Sequence, residues 1–326
     1  MNLPKIGITL GDPGGIGPEV VLKALSSKKS LPNAYYIIFG SSLIVEKEKK
    51  SLSLDLDIQL FNNTKSSISS PITLLEIDNP IKNIKMGSSS KENGQASFIF
   101  FKEAVKEATR GSIQAIVTAP ISKHSWHLAG VEWNGHTDYL NQAYPQAIMV
   151  FWSERIKVAL FSHHIPLKTA LKKIKKEALQ DFFLLLHQHI EKIQPKKFHF
   201  LVAGLNPHAG EEGFLGSEEE EEIIPAIKHV KRKGVRISGP FPPDIVFRKA
   251  LGRPDTVVIA LYHDQGLIPF KLESFKKGIN VTLGLPFIRT SPDHGTALDI
   301  AGKGVASPES MLEAIKLACK LSPRFF

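Results

Sequence analysis

Three of the twelve histidines stand where strongly apolar runs give way to turn residues: His164 in "LFSHHIPLK", His208 in "GLNPHAGE" and His263 in "ALYHDQG". A neutral imidazole is a ligand for divalent cations. Three of them with an open fourth position make a site that can polarise a substrate oxygen. Asp264 and Glu211 stand beside them, placed to orient the rings or to serve as ligands themselves. His163 leaves the first position open, since either ring of "SHH" could turn inward. For any one of these residues alone a hydrogen-bonded loop histidine is the plainer expectation. Their recurrence at three equivalent strand ends favours the metal site.

A second set follows "HDQG": Lys271 in "IPFKLES", Asn280 in "GINVTLG" and Arg289 in "PFIRTSPDHGTA". A point charge, an amide and a planar guanidinium are the donors that hold a phosphate or a carboxylate. Upstream, "EWNGHTDYL" places His136 and Thr137 at an expected helix start, where free amides and a hydroxyl can bind a polar substrate. The alternative there is a plain helix cap by Thr137. Lys123 after "VTAPIS" and Asp244 after the double proline of "GPFPPD" could each move a proton, although neither spacing is diagnostic.

Positioning these groups falls to short β-rich runs that alternate with helical patterns. "KIGITL", "AYYIIFG", "ITLLEI", "QAIVTA", "AIMVFW", "KVALFS", "FHFLVAGL", "DTVVIALY" and "INVTLGL" predict strands of an α/β fold. In open α/β sheets, ligands bind in the loops after the carboxyl ends of strands, where the three histidines stand. Between the strands, Ala178, Leu179, Phe182, Phe183, Leu186, Ile190 and Ile193 recur with helical spacing and predict one buried stripe. His187 and His189 on that helix are two apart and point to different sides. The run Glu218 to Glu222 follows Ser217 and reads as the acidic first turn of a Ser-capped helix.

The chain has 326 residues, 42% hydrophobic, enough for two lobes and against disorder as a default. Its formal charge of +9 is scattered in short lysine patches among acids, which suits solvated helix faces and anionic small ligands better than a nucleic-acid footprint. One cysteine, Cys319, excludes an intrachain disulfide and a cysteine metal cluster. An amino terminus without an apolar core, and no apolar run of spanning length, lead to the expectation of a cytoplasmic protein without membrane contact. "GDPGGIGPEV" has the look of a phosphate-cradling turn, but Gly11, Gly14, Gly15 and Gly17 do not space as G-x-G-x-x-G. Pro18 and Glu19 instead open a buried helix, and Asp12 is the loop's most interesting side chain.

The segments "GDPGGIGPEV", "VTAPISK", "NGHTDYL", "GLNPHAGEEGFLG", "GPFPPD", "YHDQGLIPFK" and "GINVTLGLPFIRTSPDHGTALDIAGKG" occur in this order. Together they resemble the 4-hydroxythreonine-4-phosphate dehydrogenase family of vitamin B6 biosynthesis almost end to end. The resemblance implies a two-lobed α/β/α fold of the isocitrate and isopropylmalate dehydrogenase type, with an active site in the interlobe cleft completed by the partner subunit of a homodimer. Lobes of 1–130 with 290–326 and of 131–289 are expected.

It further implies metal ligation by His164, His208 and His263, and substrate contacts at His136, Thr137, Lys271, Asn280 and Arg289. Asp244 or Lys123 would serve as a further contact or in proton transfer, with Asp12 and Asn206 near the cofactor. The implied reaction is oxidation of 4-phosphohydroxy-L-threonine with NAD or NADP and one divalent ion, zinc, magnesium or cobalt. The β-keto acid formed would lose carbon dioxide to give 3-amino-2-oxopropyl phosphate. The competing expectation is a sister dehydrogenase acting on 4-hydroxythreonate or a related phosphorylated sugar acid. More distant alternatives are a phosphate acyltransferase on the same general fold and a basic nucleic-acid-binding protein.

Overall fold

The computed structural model describes residues 3–61, 70–78, 81, 84–194 and 197–322. The chain divides into two compact units, residues 1–147 with 285–326 and residues 148–284. Strands β1 (Lys5–Thr9), β2 (Tyr35–Gly40), β3 (Gln59–Phe61), β4 (Ile72–Glu76) and β5 (Ala115–Thr118) come first. The inserted unit holds β6 (Ile148–Trp152), β7 (Lys157–Leu160), β8 (His199–Ala203), β9 (Ile237–Phe241), β10 (Thr256–Ala260) and β11 (Ile279–Leu283). The chain then returns to the first unit as β12 (Ile288–Pro292).

In the first unit the strand order is β3-β4-β2-β1-β5-β12, parallel throughout. In the second it is β11-β6-β7-β10-β8-β9. There β6 runs antiparallel to both β11 and β7, and the remaining pairs are parallel. Every residue of β5, β6, β7, β10 and β12 is buried. Strands covered on both faces carry continuous apolar runs rather than alternation. That is why β5, β6, β7 and β10 announce themselves in the sequence, whereas the equally buried β12, IRTSP, does not.

The unit boundaries differ from the expected lobes, because the helix His136–Ala143 belongs to the first unit. Its Tyr139 ring packs edge-on to Phe98 and Phe101 of the helix Lys91–Thr109, at 5.8 and 5.3 Å between centroids. Trp126 of the helix Lys123–Leu128 closes the same cluster against Phe98 at 5.3 Å. Such edge-to-face contacts add to the apolar area that each ring already buries. The two helices approach closely at Gly94, where an added Cβ would collide with the Ser125 carbonyl oxygen.

The acidic run does form the first turn of a helix, with Glu220 and Glu221 exposed, but not behind a serine cap. Ser217 makes no side-chain cap, and a π-type turn, Glu219–Ile223, leads into the helix Ile224–Arg232. Glu219 is 1% exposed. Glu222 accepts hydrogen bonds from the Lys176 amide at 2.6 Å and the Lys175 ammonium at 2.7 Å, and so caps the helix Lys176–Ile193. That helix buries Leu179, Phe183, Leu186, Ile190 and Ile193 of the predicted stripe, whereas Ala178 is exposed and Phe182 only half-buried at its margin. Among the described residues, no helix is long and apolar enough to cross a membrane.

Candidate functional site

Parallel pairing between β7 and β10 puts Leu160 beside Ala260. His164 and His263 follow those two residues by four and three positions, so the sheet register alone makes them neighbours. Their ring centroids are 5.6 Å apart. Metal–nitrogen bonds of about 2.0–2.1 Å place the centres of two imidazoles on one cation roughly 5–6 Å apart, so this separation fits a shared ion. Nδ1 of His263 lies 2.6 Å from Oδ1 of Asp264. A carboxylate only accepts, so that nitrogen carries a proton, and in a neutral ring Nε2 is the nitrogen left to bind a cation.

His164 is the exposed member of "SHH", held at φ +48°. His163, 5.3 Å from it, is half-buried, and its Nδ1 is buried without a hydrogen-bond partner. Burial, then the nearby His263 and Lys173, lowers its pKa and favours the neutral ring. These three histidines with Tyr262 and Asp264 line a cavity of about 260 Å³.

β8 is the other parallel neighbour of β10, with Val202 beside Ile259. Its exposed carboxyl-end loop carries His208 in the short turn Pro207–Gly210. Three consecutive strands in space, β7, β10 and β8, therefore lift His164, His263 and His208 from one edge of the second unit. The structure brings the first two into contact. Among the described residues no three His, Cys, Asp or Glu side chains converge closely enough to hold a metal ion.

The loop after β8 is itself tightly specified. Oε1 of Glu219 accepts from the Leu205 and Asn206 amides at 2.7 and 2.8 Å, and Oε2 from the Asn206 side chain at 2.8 Å. A further 2.8 Å bond runs from Asn206 Nδ2 to Glu218. Asn206, expected near a cofactor, thus spends its amide group on its own loop. The amide of Gln265 joins this loop to the next: Oε1 accepts from the Leu261 amide and Nε2 donates to the Gly204 carbonyl, each at 2.7 Å. Sequence reasoning missed both Glu219 and Gln265. A buried carboxylate is invisible within five consecutive glutamates, whereas Gln265 inside "YHDQG" was open to notice.

In the first unit, His136 and Arg289 form a buried polar pair that the sequence separates by 153 positions. Nη2 of Arg289 donates to Thr118 Oγ1 at 2.8 Å and faces His136 Nδ1 at 3.4 Å. Arginine only donates, so Nδ1 accepts and the imidazole proton resides on Nε2, which is buried without a partner. Burial, and then the Arg289 charge, holds the His136 pKa well below the usual histidine value. Burial pulls Arg289 down to about 10. The His136 ring is fixed by Phe101 and Trp126 at 4.4 and 5.4 Å. A neutral N–H donor and a buried guanidinium together suit an anionic or strongly polar oxygen. Thr118, the last residue of β5, belongs to this group and was not singled out in the sequence.

The remaining candidates are more dispersed. Lys271 lies exposed on the helix His263–Ser274, and Asn280 is half-buried in β11 with a buried Oδ1 lacking a hydrogen-bond partner. Both belong to the second unit and Arg289 to the first. Thr137 is the second residue of its helix, where Gly135 holds the cap position, so it is no N-cap. Lys123 and Asp244 are exposed in the first turns of Lys123–Leu128 and Pro243–Ala250. Asp12 is 0% exposed. Its Oδ1 accepts from the Gly14 amide at 2.8 Å, and burial raises its pKa.

Residues 33–318 match the family described as Pyridoxal phosphate biosynthetic protein PdxA. A 4-hydroxythreonine-4-phosphate dehydrogenase of Sulfurihydrogenibium sp. is 42% identical, over 97% of this chain and 98% of that protein. A D-threonate 4-phosphate dehydrogenase of Salmonella typhimurium is 37% identical, over 99% of this chain and all of the relative. The crystal structure of a 4-hydroxythreonine-4-phosphate dehydrogenase from Klebsiella pneumoniae superposes with a TM-score of 0.86 at 35% identity, covering 99% of both chains.

Proposed function

The chain belongs to the PdxA family of pyridoxal phosphate biosynthetic proteins, and on that premise we propose that it oxidises the secondary alcohol of 4-phosphohydroxy-L-threonine with NAD or NADP. The β-keto acid so formed loses carbon dioxide to give 3-amino-2-oxopropyl phosphate. The observation that carries this reading is the facing pair His164 and His263 at the carboxyl ends of two paired strands. Its donor chemistry fits a divalent cation, with His208 on the adjoining strand's loop as the third ligand. Such an ion, zinc, magnesium or cobalt, would supply Lewis-acid polarisation of the alcohol oxygen and of the enolate that decarboxylation produces.

The protein's own groups bind and orient. His136 donates from Nε2 to a substrate oxygen, and Arg289, braced by Thr118, neutralises an anionic substituent. Lys271 and Asn280 supply further donors for the phosphate, and Thr137 a hydroxyl. Lys123 or Asp244 moves the proton of the alcohol or of the enolate carbon. Asp12 is turned into its own loop and Asn206 is held by Glu218 and Glu219, so no residue is assigned to the nicotinamide and no step is drawn through it. The same reading takes the working enzyme as a cytoplasmic homodimer whose active site is shared between subunits.

A second substrate is favoured by the full-length relative that acts on D-threonate 4-phosphate. Both substrates share the phosphate and an oxidisable hydroxyl. The test strips the purified protein with chelator, restores metals singly and follows reduced-cofactor absorbance with each substrate. Activity that needs a metal and prefers 4-phosphohydroxythreonine supports the first reading. Preference for D-threonate 4-phosphate moves the assignment to the sister activity, and no turnover of either removes both.

A further inference from the structure

We propose that Asp12 is a positioning residue for His136: its buried carboxylate anchors the start of the helix Lys123–Leu128, and that helix holds the imidazole so that Nε2 is offered to a ligand oxygen. The inference rests on the substrate role given to His136 above. Asp12 follows β1, and its amide donates to the Pro120 carbonyl at 2.9 Å. The approach is close at Gly11, φ +70°, where an added Cβ would collide with the same carbonyl oxygen. Burial raises the Asp12 pKa, and the Ser125 hydroxyl, the Gly14 amide and the Ser122 amide beside the carboxylate pull it back down. Ser122 is the N-cap of the helix, accepting from the Ser125 amide at 3.0 Å, so two of those donors belong to the helix start. An acceptor there satisfies groups that a helix start leaves open.

With six residues this helix is too short to hold its place by itself. Asp12 fixes one end. Near the other, Trp126, 0% exposed, donates from Nε1 to Ser97 Oγ at 3.0 Å. The Trp126 ring then meets the His136 imidazole edge to face, at 5.4 Å and 89°. Lys123 reaches the same place from the first turn, its Cε 3.9 Å from the position a Cβ on Gly135 would take. Arg289 is the charged group facing the imidazole, and Phe101 covers it from the helix Lys91–Thr109. Removing the Asp12 carboxylate strands the buried Gly14 and Ser122 donors, which turn elsewhere and release the helix start. Trp126 moves with it, and the His136 ring gains freedom and water.

The test uses full-length protein with ¹⁵N-labelled histidine, its imidazole nitrogens followed by NMR between pH 8 and 5, with a thermal melt of each variant. His136 is identified by the signals that vanish in His136→Asn. In the wild type it is expected to stay neutral throughout, with its proton on Nε2. In Asp12→Ala it is expected to populate both tautomers and to take up a proton closer to the ordinary histidine value of about 6.5. Asp12→Asn keeps an acceptor for the Gly14 amide and replaces a carboxyl whose neutral form burial already favours, so its His136 signals should match the wild type. Leu25→Ala, in the core of the same unit, lowers the melting temperature and should leave those signals unchanged. The kcat/KM of Asp12→Ala should fall about two- to tenfold, the value of one hydrogen bond.

Wild-type His136 signals in Asp12→Ala, or the same change in Leu25→Ala, overturn the positioning role. Ordinary titration of His136 in the wild type overturns it too. Altered signals with unchanged kcat/KM leave the positioning role standing and remove the substrate role from His136. If Asp12→Ala does not fold, Trp126→Phe takes its place. That variant removes the Ser97 anchor and keeps an aromatic ring, so the same change is expected, and wild-type signals overturn the inference.

Discussion

His136 occupies a place where a positive charge is disfavoured twice, by burial and by the Arg289 guanidinium beside it. Its folded pKa lies below the unfolded value of about 6.5, so on acidification the unfolded chain takes a proton that the folded chain refuses. Stability from this group is complete above about pH 6.5 and is lost as pH falls towards the folded pKa. In denaturant titrations between pH 8 and 5, the stability difference between wild type and His136→Asn should shift against the wild type below pH 6.5. Its slope should approach about 1.4 kcal/mol per pH unit, the one-proton limit. A difference independent of pH would show that the imidazole titrates normally. Other buried groups, such as Asp12 with its raised pKa, cancel in the comparison. Little of this pair was legible in the sequence, because nothing local links His136 to Arg289. His164 and His263 were legible because apolar β-runs end just before them, and their pairing then follows from strand register.

Buried apolar strands carried the clearest signals, whereas the buried but polar β12, IRTSP, and the edge strand β9 carried none. Its "ISGPF" holds a proline, which the ladder tolerates at a sheet edge but which reads as a break. The late unit boundary was equally hidden, since it depends on rings from three helices meeting around Trp126. Gly94 governs that meeting. Gly94→Ala forces the helix Lys91–Thr109 away from Ser125, and overpacking of this kind typically destabilises by about 1–3 kcal/mol. The substitution should also weaken substrate binding through His136, seen as a raised KM. Cobalt affinity should stay at the wild-type value, because His164, His208 and His263 all belong to the other unit. A lost cobalt spectrum in Gly94→Ala would contradict that division of labour.

For the molecule as a whole, the second unit is one uninterrupted stretch of chain with a core of its own. Met149, Phe151, Val158, Leu160, Leu201, Val258 and Phe270 cluster within it. Its two ends lie on paired strands, Ile148 beside Leu283. A fragment of residues 148–284 is therefore expected to melt cooperatively by circular dichroism, and a non-cooperative melt would show that it leans on the rest of the chain. The pairing of Ile148 with Leu283 also fixes an order in time. During synthesis the inner unit is complete once residue 284 has emerged, while β5 still waits for β12 and the final helix. The ribosome thus delivers the three candidate metal-binding histidines, in a unit already able to close, before the half that carries Arg289 can finish its sheet.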